Sequence, residues 1–453
     1  MRYYSTRSKS QGLSFAQAAL TGLAPDGGLF VPELIPPYPA AVQSSLGTMD
    51  FHDIAFETIK PYVQGEIPDP VLADLVHAAY PFSAPLVQVG DRLVLELFHG
   101  PTAAFKDFGA RFMARAFAYL RRGEDRPLHI LVATSGDTGG AVAAGFHGVA
   151  GIEVTVLYPK GRVSPLQEQQ IAGLGGNIQA LAVEGTFDDC QRLVKGAFSN
   201  QALHKKRSLS SANSINIARL IPQSIYYAAA AGKAFAGKCD TPQGASPWDE
   251  RKPAAPGTVS LKPGEPITFC VPSGNFGNLT AGLYALKMGA PIRGFIAATN
   301  INKTVPDYLD SGLYQPRPSQ ATISNAMDVG APSNFERMSD QWSLEALRQI
   351  LQGVYVSDEA TRRIIRDVRQ SQGYFLDPHT AVAWQGLNQI CPGASLPGPV
   401  GILATAHPAK FAGIVEPLAG PVPVPESLTH VLERKPRARI IPADSSALLE
   451  VLC

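Results

Sequence analysis

Residues 128–146 read LHILVATSGDTGGAVAAGF, and this stretch decides the class of fold. Its first seven residues form a nearly continuous apolar run, which is typical of a parallel strand buried on both faces. A glycine-rich turn follows at 135–140, and small apolar residues then continue in a helical pattern. A strand, a glycine-rich turn and a helix predict an α/β unit that binds its ligand at the carboxyl end of the strand.

The same alternation of short apolar strands and helices continues along the chain. Strands are predicted at 93–98, 128–134, 154–158, 178–183, 267–272, 294–298 and 400–404. This order is typical of parallel sheets with helices on both faces. Residues 1–90 are expected to be mixed and mostly helical. Residues 239–266 are rich in proline, glycine and alanine without a periodic apolar face, which predicts a surface insertion or connection.

The sequence around one lysine, residues 98–109, is unusual, and we call it the Lys106 frame. Residues 98–109 read FHGPTAAFKDFG, so Lys106 follows a Gly-Pro turn and apolar side chains at a predicted helix start. Burial lowers the pKa of a lysine because it disfavours the ammonium form, and a Schiff-base lysine needs a lowered pKa. The alternative is a lysine paired with Asp107 on a helix surface, the ordinary fate of a lysine.

A second glycine turn fits the same chemistry. Residues 267–286 read ITFCVPSGNFGNLTAGLYAL, a strand, a turn and a helix, in which Gly274 and Gly277 allow an anion to approach the backbone. No Lys-Ser or Lys-Thr pair ends the turn, so it is not a P-loop. A reactive lysine with a distant phosphate cradle suits pyridoxal phosphate, whose aldehyde and phosphate lie on opposite sides of the ring. The 135–140 turn either caps its helix or also grips a carboxylate or phosphate, and both roles stay open.

Several other motifs occur in a fixed order. They are YSTR (4–7), GLAPDGGLFVP (22–32), SANSIN (211–216), PSNFER (332–337) and TAHPAKF (405–411). Together with the Lys106 frame and the two glycine turns, they make the chain resemble the threonine synthases. These are pyridoxal-phosphate enzymes of the tryptophan-synthase-β-like group (fold type II). The 22–32 block separates this family from the dehydratases and cysteine-forming members of the group.

The resemblance implies two parallel-sheet α/β domains with the cofactor between them (91–453), preceded by a mostly helical N-terminal domain (1–90). It implies that Lys106 holds pyridoxal 5'-phosphate and then acts as general base and acid. The implied cofactor-binding residues are Lys106, Gly274, Asn275, Phe276, Gly277, Asn278 and Thr405. Thr405 would hydrogen-bond the pyridine nitrogen, and its alternative role is to cap the next turn.

The family reaction converts O-phospho-L-homoserine and water to L-threonine and phosphate by γ-elimination and β-addition of water, the last step of threonine biosynthesis. The substrate carries a carboxylate and a phosphate and needs two anion sites. The candidates are Ser135, Gly136, Asp137 and Thr138 for one site and Thr102, Asn213, Ser214 and Asn216 for the other. Asp137 is unexpected beside an anion; it either orients backbone or lies near the 3'-oxygen of the cofactor. Arg162 and Lys303 are candidate cations for the substrate phosphate, with surface ion pairs as their alternative, and His379 is expected to close part of the site.

The composition of the chain limits the classes of partner that it can bind. The chain has 453 residues, 45% of them hydrophobic, and a formal net charge of +1. Such a chain buries large cores and gives no sign of a nucleic-acid or anionic-membrane partner. Its N-terminus lacks the apolar core of a secretory signal, no stretch has the length of a membrane span, and the five scattered cysteines lack metal spacing. We therefore expect a cytoplasmic enzyme with reduced thiols and no metal, acting as a monomer or homodimer on a small molecule.

Three alternatives remain at this stage. The first is a related amino-acid lyase, either a dehydratase-like enzyme or one that releases 2-oxobutyrate from O-phosphohomoserine. The second is a cofactor-binding protein without catalysis, against which the intact Lys106 frame and glycine turns argue. The third is a nucleotide-binding protein, against which the missing Walker lysine and dinucleotide glycines argue.

Overall fold

The computed structural model describes residues 1–9, 11–240, 261–392 and 396–452. Residues 241–260 of the predicted insertion lie outside the described residues. The strands are β1 Tyr3–Ser5, β2 Phe30–Pro32, β3 Leu86–Val89, β4 Arg92–Glu96, β5 Leu128–Ala133, β6 Ile152–Pro159, β7 Ile178–Glu184, β8 Ser208–Ser211, β9 Ile267–Pro272, β10 Ile292–Thr299, β11 Leu351–Tyr355, β12 Val400–Ala404 and β13 Ala438–Pro442.

The α-helices surround these strands. They are α1 Phe15–Thr21, α2 Ala40–Ser45, α3 Phe51–Val63, α4 Asp69–Ala79, α5 Lys106–Leu120, α6 Asp137–Phe146, α7 Pro165–Ala172, α8 Phe187–Ser199, α9 Gln201–Lys206, α10 Ile217–Leu220, α11 Ser224–Phe235, α12 Gly277–Met288, α13 Thr304–Ser311, α14 Phe335–Gln341, α15 Leu344–Ile350, α16 Asp358–Gln372, α17 Pro378–Ile390, α18 Ala412–Ala419, α19 Glu426–Leu432 and α20 Ser445–Leu452. Within the described ranges, no helix is both long and apolar enough to cross a membrane.

Two parallel sheets form the centre of the molecule. The larger has the order β11-β10-β9-β12-β4-β3, with every described pair parallel except β3 and β4. The smaller has the order β13-β7-β6-β5-β8 and is parallel throughout. Strands β5 and β9 are buried along their whole length, as continuous apolar runs predict for parallel sheets. The predicted α/β class is confirmed.

The N-terminal region is mostly helical, as predicted, and carries a short antiparallel pair of β1 and β2. The fully buried Tyr3 donates its hydroxyl to the carbonyl of Tyr62 in α3 at 2.7 Å, which joins this strand pair to the helices. Arg337 of α14 donates Nε to the carbonyl of Phe30 at 3.1 Å. The region is therefore packed against the body of the protein, and the proposed boundary at residue 90 remains a prediction.

Candidate active site

A cavity is lined by residues that follow strands of both parallel sheets. The Lys106 frame follows β4, one glycine turn follows β5, the other follows β9, and Thr405 follows β12. Ligands bind at carboxyl ends of strands in such sheets, so the topology brings these distant segments together. The predicted residues on the lining are Lys106, Ser135, Asp137, Thr138, Asn213, Ser214, Gly274, Asn275, Phe276, Gly277, Asn278 and Thr405.

Lys106 is the first residue of α5 and is held by its neighbours in the chain. The amide of Phe105 donates to the carbonyl of Thr405 at 2.9 Å, so β12 fixes the helix start. Asp107 accepts hydrogen bonds from the amide and hydroxyl of Thr102 at 2.9 and 2.7 Å. The alternative surface pair of Lys106 with Asp107 is therefore absent from this structure. Burial lowers the pKa of Lys106 to about 8, as a Schiff-base lysine requires.

Asp137 is the nearest carboxylate to this lysine. Its Oδ2 lies 3.8 Å from the Nζ of Lys106, and its Oδ1 accepts from Lys410 at 2.8 Å and from Gln167 at 2.9 Å. Burial alone would raise the pKa of Asp137, but the ammonium groups of Lys410 and Lys106 outweigh it and hold the pKa well below its usual range. Asp137 is thus an ionised carboxylate that lies between two buried lysines and stabilises the charge of both.

The turn after β9 is held by close backbone packing and by side-chain hydrogen bonds. A Cβ built on Gly274 would lie 2.6 Å from the Cα of Met327, so only glycine fits there. Phe276 has a left-handed backbone with φ of +58°. Asn275 donates Nδ2 to the hydroxyl of Ser214 at 2.7 Å and accepts the amide of Ser333 at 2.6 Å. The turn therefore presents its backbone to the cavity in one conformation at the start of α12.

Asn278 adds a side-chain donor to this turn. Its Oδ1 accepts the hydroxyls of Tyr226 and Tyr227 at 2.6 and 2.8 Å, and the residue lines the cavity. Nδ2 is buried and has no partner among the described residues. A buried donor without a partner is costly and indicates a missing acceptor. A desolvated lysine, a glycine cradle and an amide donor at a helix N-terminus fit pyridoxal phosphate.

Two further segments complete the predicted lining. Thr405 is 5% exposed, and its hydroxyl makes no hydrogen bond to another described residue. In the turn after β5, the hydroxyl of Thr134 accepts the amides of Gly136 and Gly139 at 3.0 and 2.9 Å. This arrangement places Ser135 and Thr138 on the cavity at the N-terminal end of α6, where the helix dipole favours an anion.

Some predicted residues are not on the lining. Thr102 is 3% exposed and gives its hydroxyl to Asp107. Asn216 is fully buried, donates to the carbonyls of Ala19 and Ser211 and caps α10. Gly136 uses its amide within the turn. Thr102, Gly136 and Asn216 thus lie off the cavity lining, and the direct substrate contacts expected for them stay predictions.

The two cations suggested for the substrate phosphate also lie off the cavity lining. Arg162 is exposed, and neither it nor Lys303 lines the cavity. Lys303 lies 3.5 Å from Asp307 and over the ring of Tyr355, which matches the surface alternative.

The sequence reasoning missed other residues that the fold brings to the site. Arg219, Gln223 and Gln191 line the cavity, and Lys410 reaches Asp137 from behind it. His379, which the sequence analysis did expect at the site, also lines the cavity, with Nδ1 2.8 Å from Asp377. A signal was present for Arg219, because an arginine inside the apolar run INIARLIP (215–222) is unusual in a buried segment.

Comparison with known proteins agrees with this geometry. A family model described as pyridoxal-phosphate dependent enzyme matches residues 85–405. Models described as the N terminus and the C-terminal part of threonine synthase match residues 2–80 and 380–451. The threonine synthase of Escherichia coli is 40% identical over 460 residues, covering 100% of this chain and 99% of that protein.

The chain belongs to the threonine synthase family. Another member, from Haemophilus influenzae, is 42% identical and covers 94% of both chains. The crystal structure of the Escherichia coli threonine synthase matches with a TM-score of 0.86 at 39% identity, covering 100% of this chain and 99% of that one. A pyridoxal-phosphate-bound threonine synthase from Brucella melitensis matches with a TM-score of 0.85 at 35% identity, covering 100% and 98%.

Family membership establishes the class of chemistry. The chain is a pyridoxal-phosphate-dependent lyase of fold type II, and the family reaction forms L-threonine and phosphate from O-phospho-L-homoserine and water. A threonine deaminase from Solanum lycopersicum matches with a TM-score of 0.54 at 16% identity, covering 86% of this chain and 94% of that one, which shows a shared fold alone.

Proposed function

We propose that this chain forms L-threonine with Lys106 as cofactor-binding residue and as the group that moves protons at the carbons of the substrate. The observation that carries this proposal is the burial of Lys106 on the same cavity as the Ser273–Asn278 turn. When bound, pyridoxal phosphate withdraws the electron pair left at the Cα of an amino acid. Every other role falls to side chains and backbone of this chain.

Lys106 is suited both to accept and to donate a proton. With a pKa lowered to about 8, its amine is both a usable base and a usable acid near neutral pH. With cofactor and substrate bound, the free amine of Lys106 would take the proton from the Cα of the substrate. We assign the proton transfers at Cβ and Cγ to the same amine. Asp137 stays ionised and holds the ammonium form in place when Lys106 carries a proton.

The remaining residues bind rather than react. The Gly274–Asn278 segment would hold the phosphate of the cofactor, and the hydroxyl of Thr405 would hydrogen-bond its ring nitrogen. Ser135 and Thr138, at the N-terminal end of α6, bind one anionic end of the substrate, and Asn213 and Ser214 lie on the opposite turn after β8. Asn213 already donates Nδ2 to the carbonyl of Ala133 at 2.7 Å, so its contribution is to join that turn to β5.

Product analysis tests the proposal. The purified protein, loaded with pyridoxal phosphate, is given O-phospho-L-homoserine, and phosphate, threonine and 2-oxobutyrate are measured together. Equal amounts of phosphate and threonine are expected. Phosphate with 2-oxobutyrate would identify a lyase on the same scaffold, and the absence of phosphate would contradict the proposal. Homoserine without its phosphate is the control substrate, since it lacks the leaving group.

We further propose that the protein acts in the cytoplasm, without nucleic acid, as a monomer or homodimer. The near balance of 39 basic and 38 acidic residues supports the absence of a nucleic-acid partner. Sedimentation of the loaded protein with and without DNA measures both the oligomeric state and this absence.

A further inference from the structure

Lys410 is a second buried lysine, behind the wall of the active-site cavity. Its side chain is fully buried, and the residue is not part of the cavity lining. Its Nζ lies 2.8 Å from Oδ1 of Asp137 and donates to the carbonyl of Thr102 at 2.8 Å. Lysines are almost never buried completely unless they are paired. Lys410 is thus one half of an interior ion pair, one side chain behind the surface on which the cofactor and substrate would lie.

The two oxygens of Asp137 have different partners. Oδ1 accepts from Lys410 at 2.8 Å and from the Nε2 of Gln167 at 2.9 Å. Oδ2 lies 3.8 Å from the Nζ of Lys106, which is beyond hydrogen-bond distance. Gln167 is buried and is itself held by the capping box of α7, where its Oε1 accepts the amide of Ser164 at 3.1 Å. The carboxylate is therefore anchored through Oδ1, on the side of Lys410.

This geometry places one carboxylate between two lysines. The pair of Asp137 with Lys410 is the stronger one, because it is shorter and also hydrogen-bonded. Lys106 therefore shares a carboxylate instead of holding one of its own, and Lys410 adds a like charge that disfavours its ammonium form. The other charged or titratable groups that interact with these three are Arg219 on α10, Asp377 and His379 on α17, Asp107 on α5 and His407 in the turn after β12.

We propose that Lys410 is a positioning residue for Lys106: it holds Asp137 through Oδ1 and so leaves Lys106 with a neutral amine for the aldehyde of the cofactor. The proposal rests on the proposed function only for the identity of the reactive lysine. Changes at Asp137 and at Lys410 should then have opposite effects. Removal of the carboxylate lowers the pH at which Lys106 reacts, and removal of the second ammonium group raises it.

The test compares Lys410→Gln and Lys410→Met with the parent. Glutamine keeps a hydrogen-bond donor without the charge, and methionine removes both. Stopped-flow absorbance follows the initial rate of pyridoxal-phosphate attachment to the cofactor-free protein against pH. For both variants we expect the half-maximum to move up by at least about one pH unit, because a like charge is lost and Asp137 is released to Lys106. Lys303→Gln, which removes a surface lysine from its 3.5 Å pair with Asp307, is the control and should leave the half-maximum in place.

A second measurement on the same proteins needs no cofactor. Lys106 lines the cavity, so acetic anhydride can reach it, and peptide mass spectrometry gives the fraction acetylated over the same pH range. Only the neutral amine is acylated, so the labelling profile is expected to move in the same direction as the attachment profile. If both profiles move while the loaded parent forms no threonine, the proposed function is wrong and the role of Lys410 stands.

The double variant Asp137→Asn, Lys410→Met separates anchoring of the carboxylate from direct repulsion between the lysines. Without the carboxylate, only repulsion remains, so Lys410→Met should move the profile less than it does in the parent. An equal shift in both backgrounds would overturn the role through Asp137. A purely structural Lys410 would lower the melting temperature without moving either pH profile. The proposal is therefore overturned if both profiles stay in place or move to lower pH, or if neither single variant folds.

Discussion

The Nζ of Lys106 lies 3.8 Å from the carboxylate of Asp137, on the wall of the cavity that holds both glycine turns. Asp137 raises the pKa of Lys106, and Lys106 lowers the pKa of Asp137. Burial lowers the pKa of Lys106 to about 8, while Asp137 alone would raise it. Lys106 in turn helps to keep Asp137 ionised.

The first prediction is a pH dependence of cofactor attachment. Only the neutral amine attacks an aldehyde, so the fraction of reactive Lys106 rises as pH rises through its pKa. The initial rate of pyridoxal-phosphate attachment to the cofactor-free protein is expected to reach half its maximum near pH 8. Stopped-flow absorbance measures it. A half-maximum above about pH 10, the range of an ordinary lysine, would contradict the burial of Lys106.

The second prediction concerns Asp137→Asn. Asp137 raises the pKa of Lys106, so its removal lowers that pKa further, and the half-maximum of attachment moves to lower pH. The same attachment assay measures the shift. Asp307→Asn, which removes a carboxylate from the surface pair with Lys303, is the control and is expected to leave the half-maximum unchanged. A shift of the Asp137 variant toward higher pH would refute the assigned interaction.

The third prediction is that Lys106→Ala abolishes covalent cofactor attachment and turnover while the fold is retained. Alanine is a good helix former at the start of α5, and Asp137, which loses its 3.8 Å ion pair with Lys106, keeps its 2.8 Å contact with Lys410. Borohydride reduction followed by mass spectrometry detects the adduct on the parent, and circular dichroism follows the fold. Threonine formation at the parent rate by this variant would exclude Lys106 as the reactive lysine.

The fourth prediction is that Thr405→Ala weakens the cofactor complex about fivefold and slows turnover, since one hydrogen bond contributes about 1 kcal/mol. Thr405→Ser keeps the hydroxyl and is expected to retain most of the affinity. Titration of the cofactor-free proteins gives the dissociation constants. Equal affinity and turnover in Thr405→Ala and the parent would show that the hydroxyl makes no contact with the cofactor.

The fifth prediction compares two glycines. A Cβ on Gly274 would meet the Cα of Met327 at 2.6 Å and the carbonyl of Ala326 at 2.9 Å, both of them backbone atoms. Gly274→Ala must therefore displace the turn, and we expect at least a tenfold loss of pyridoxal-phosphate affinity. Gly413, in α18, has nothing within 4 Å of its added Cβ, so Gly413→Ala is the control. Its stability should change by less than about 1 kcal/mol. Unchanged affinity in Gly274→Ala would show that the turn is not a close-packed cradle.

Much of the fold could be predicted because buried parallel strands carry an unmistakable apolar run. The predicted bounds 267–272 and 400–404 agree with β9 and β12 as observed. Strand β8 was not predicted because its sequence, SLSS, is polar, and only its pairing with β5 makes it a strand. Strand β13, at the edge of the smaller sheet, exposes Ile440 and lacks the buried pattern. Tertiary context, rather than local propensity, decides whether such segments form strands.

Site residues that directly follow a strand could be predicted from the sequence. Site residues that only tertiary packing brings to the cavity could not. Lys106, Thr405 and both glycine turns follow strands, so their meeting follows from topology. Asn216 belongs to the same motif as Asn213 but points its amide into α10 and α1, which a motif does not reveal. Lys410 reaches Asp137 only because the C-terminal motif folds back behind the Thr102 loop.

The position of β12 has a consequence for how the molecule is made. It lies between β9 and β4, and β4, which precedes Lys106, pairs within the described sheet only with β12 and β3. The strands that precede Lys106 and the Ser273–Asn278 turn are therefore joined through a strand that begins at Val400. On the ribosome, the reactive lysine is synthesised about three hundred residues before the strand that fixes it. Cofactor capture consequently has to wait until β12 has been synthesised, and a nascent chain that stops before β12 should emerge without bound pyridoxal phosphate.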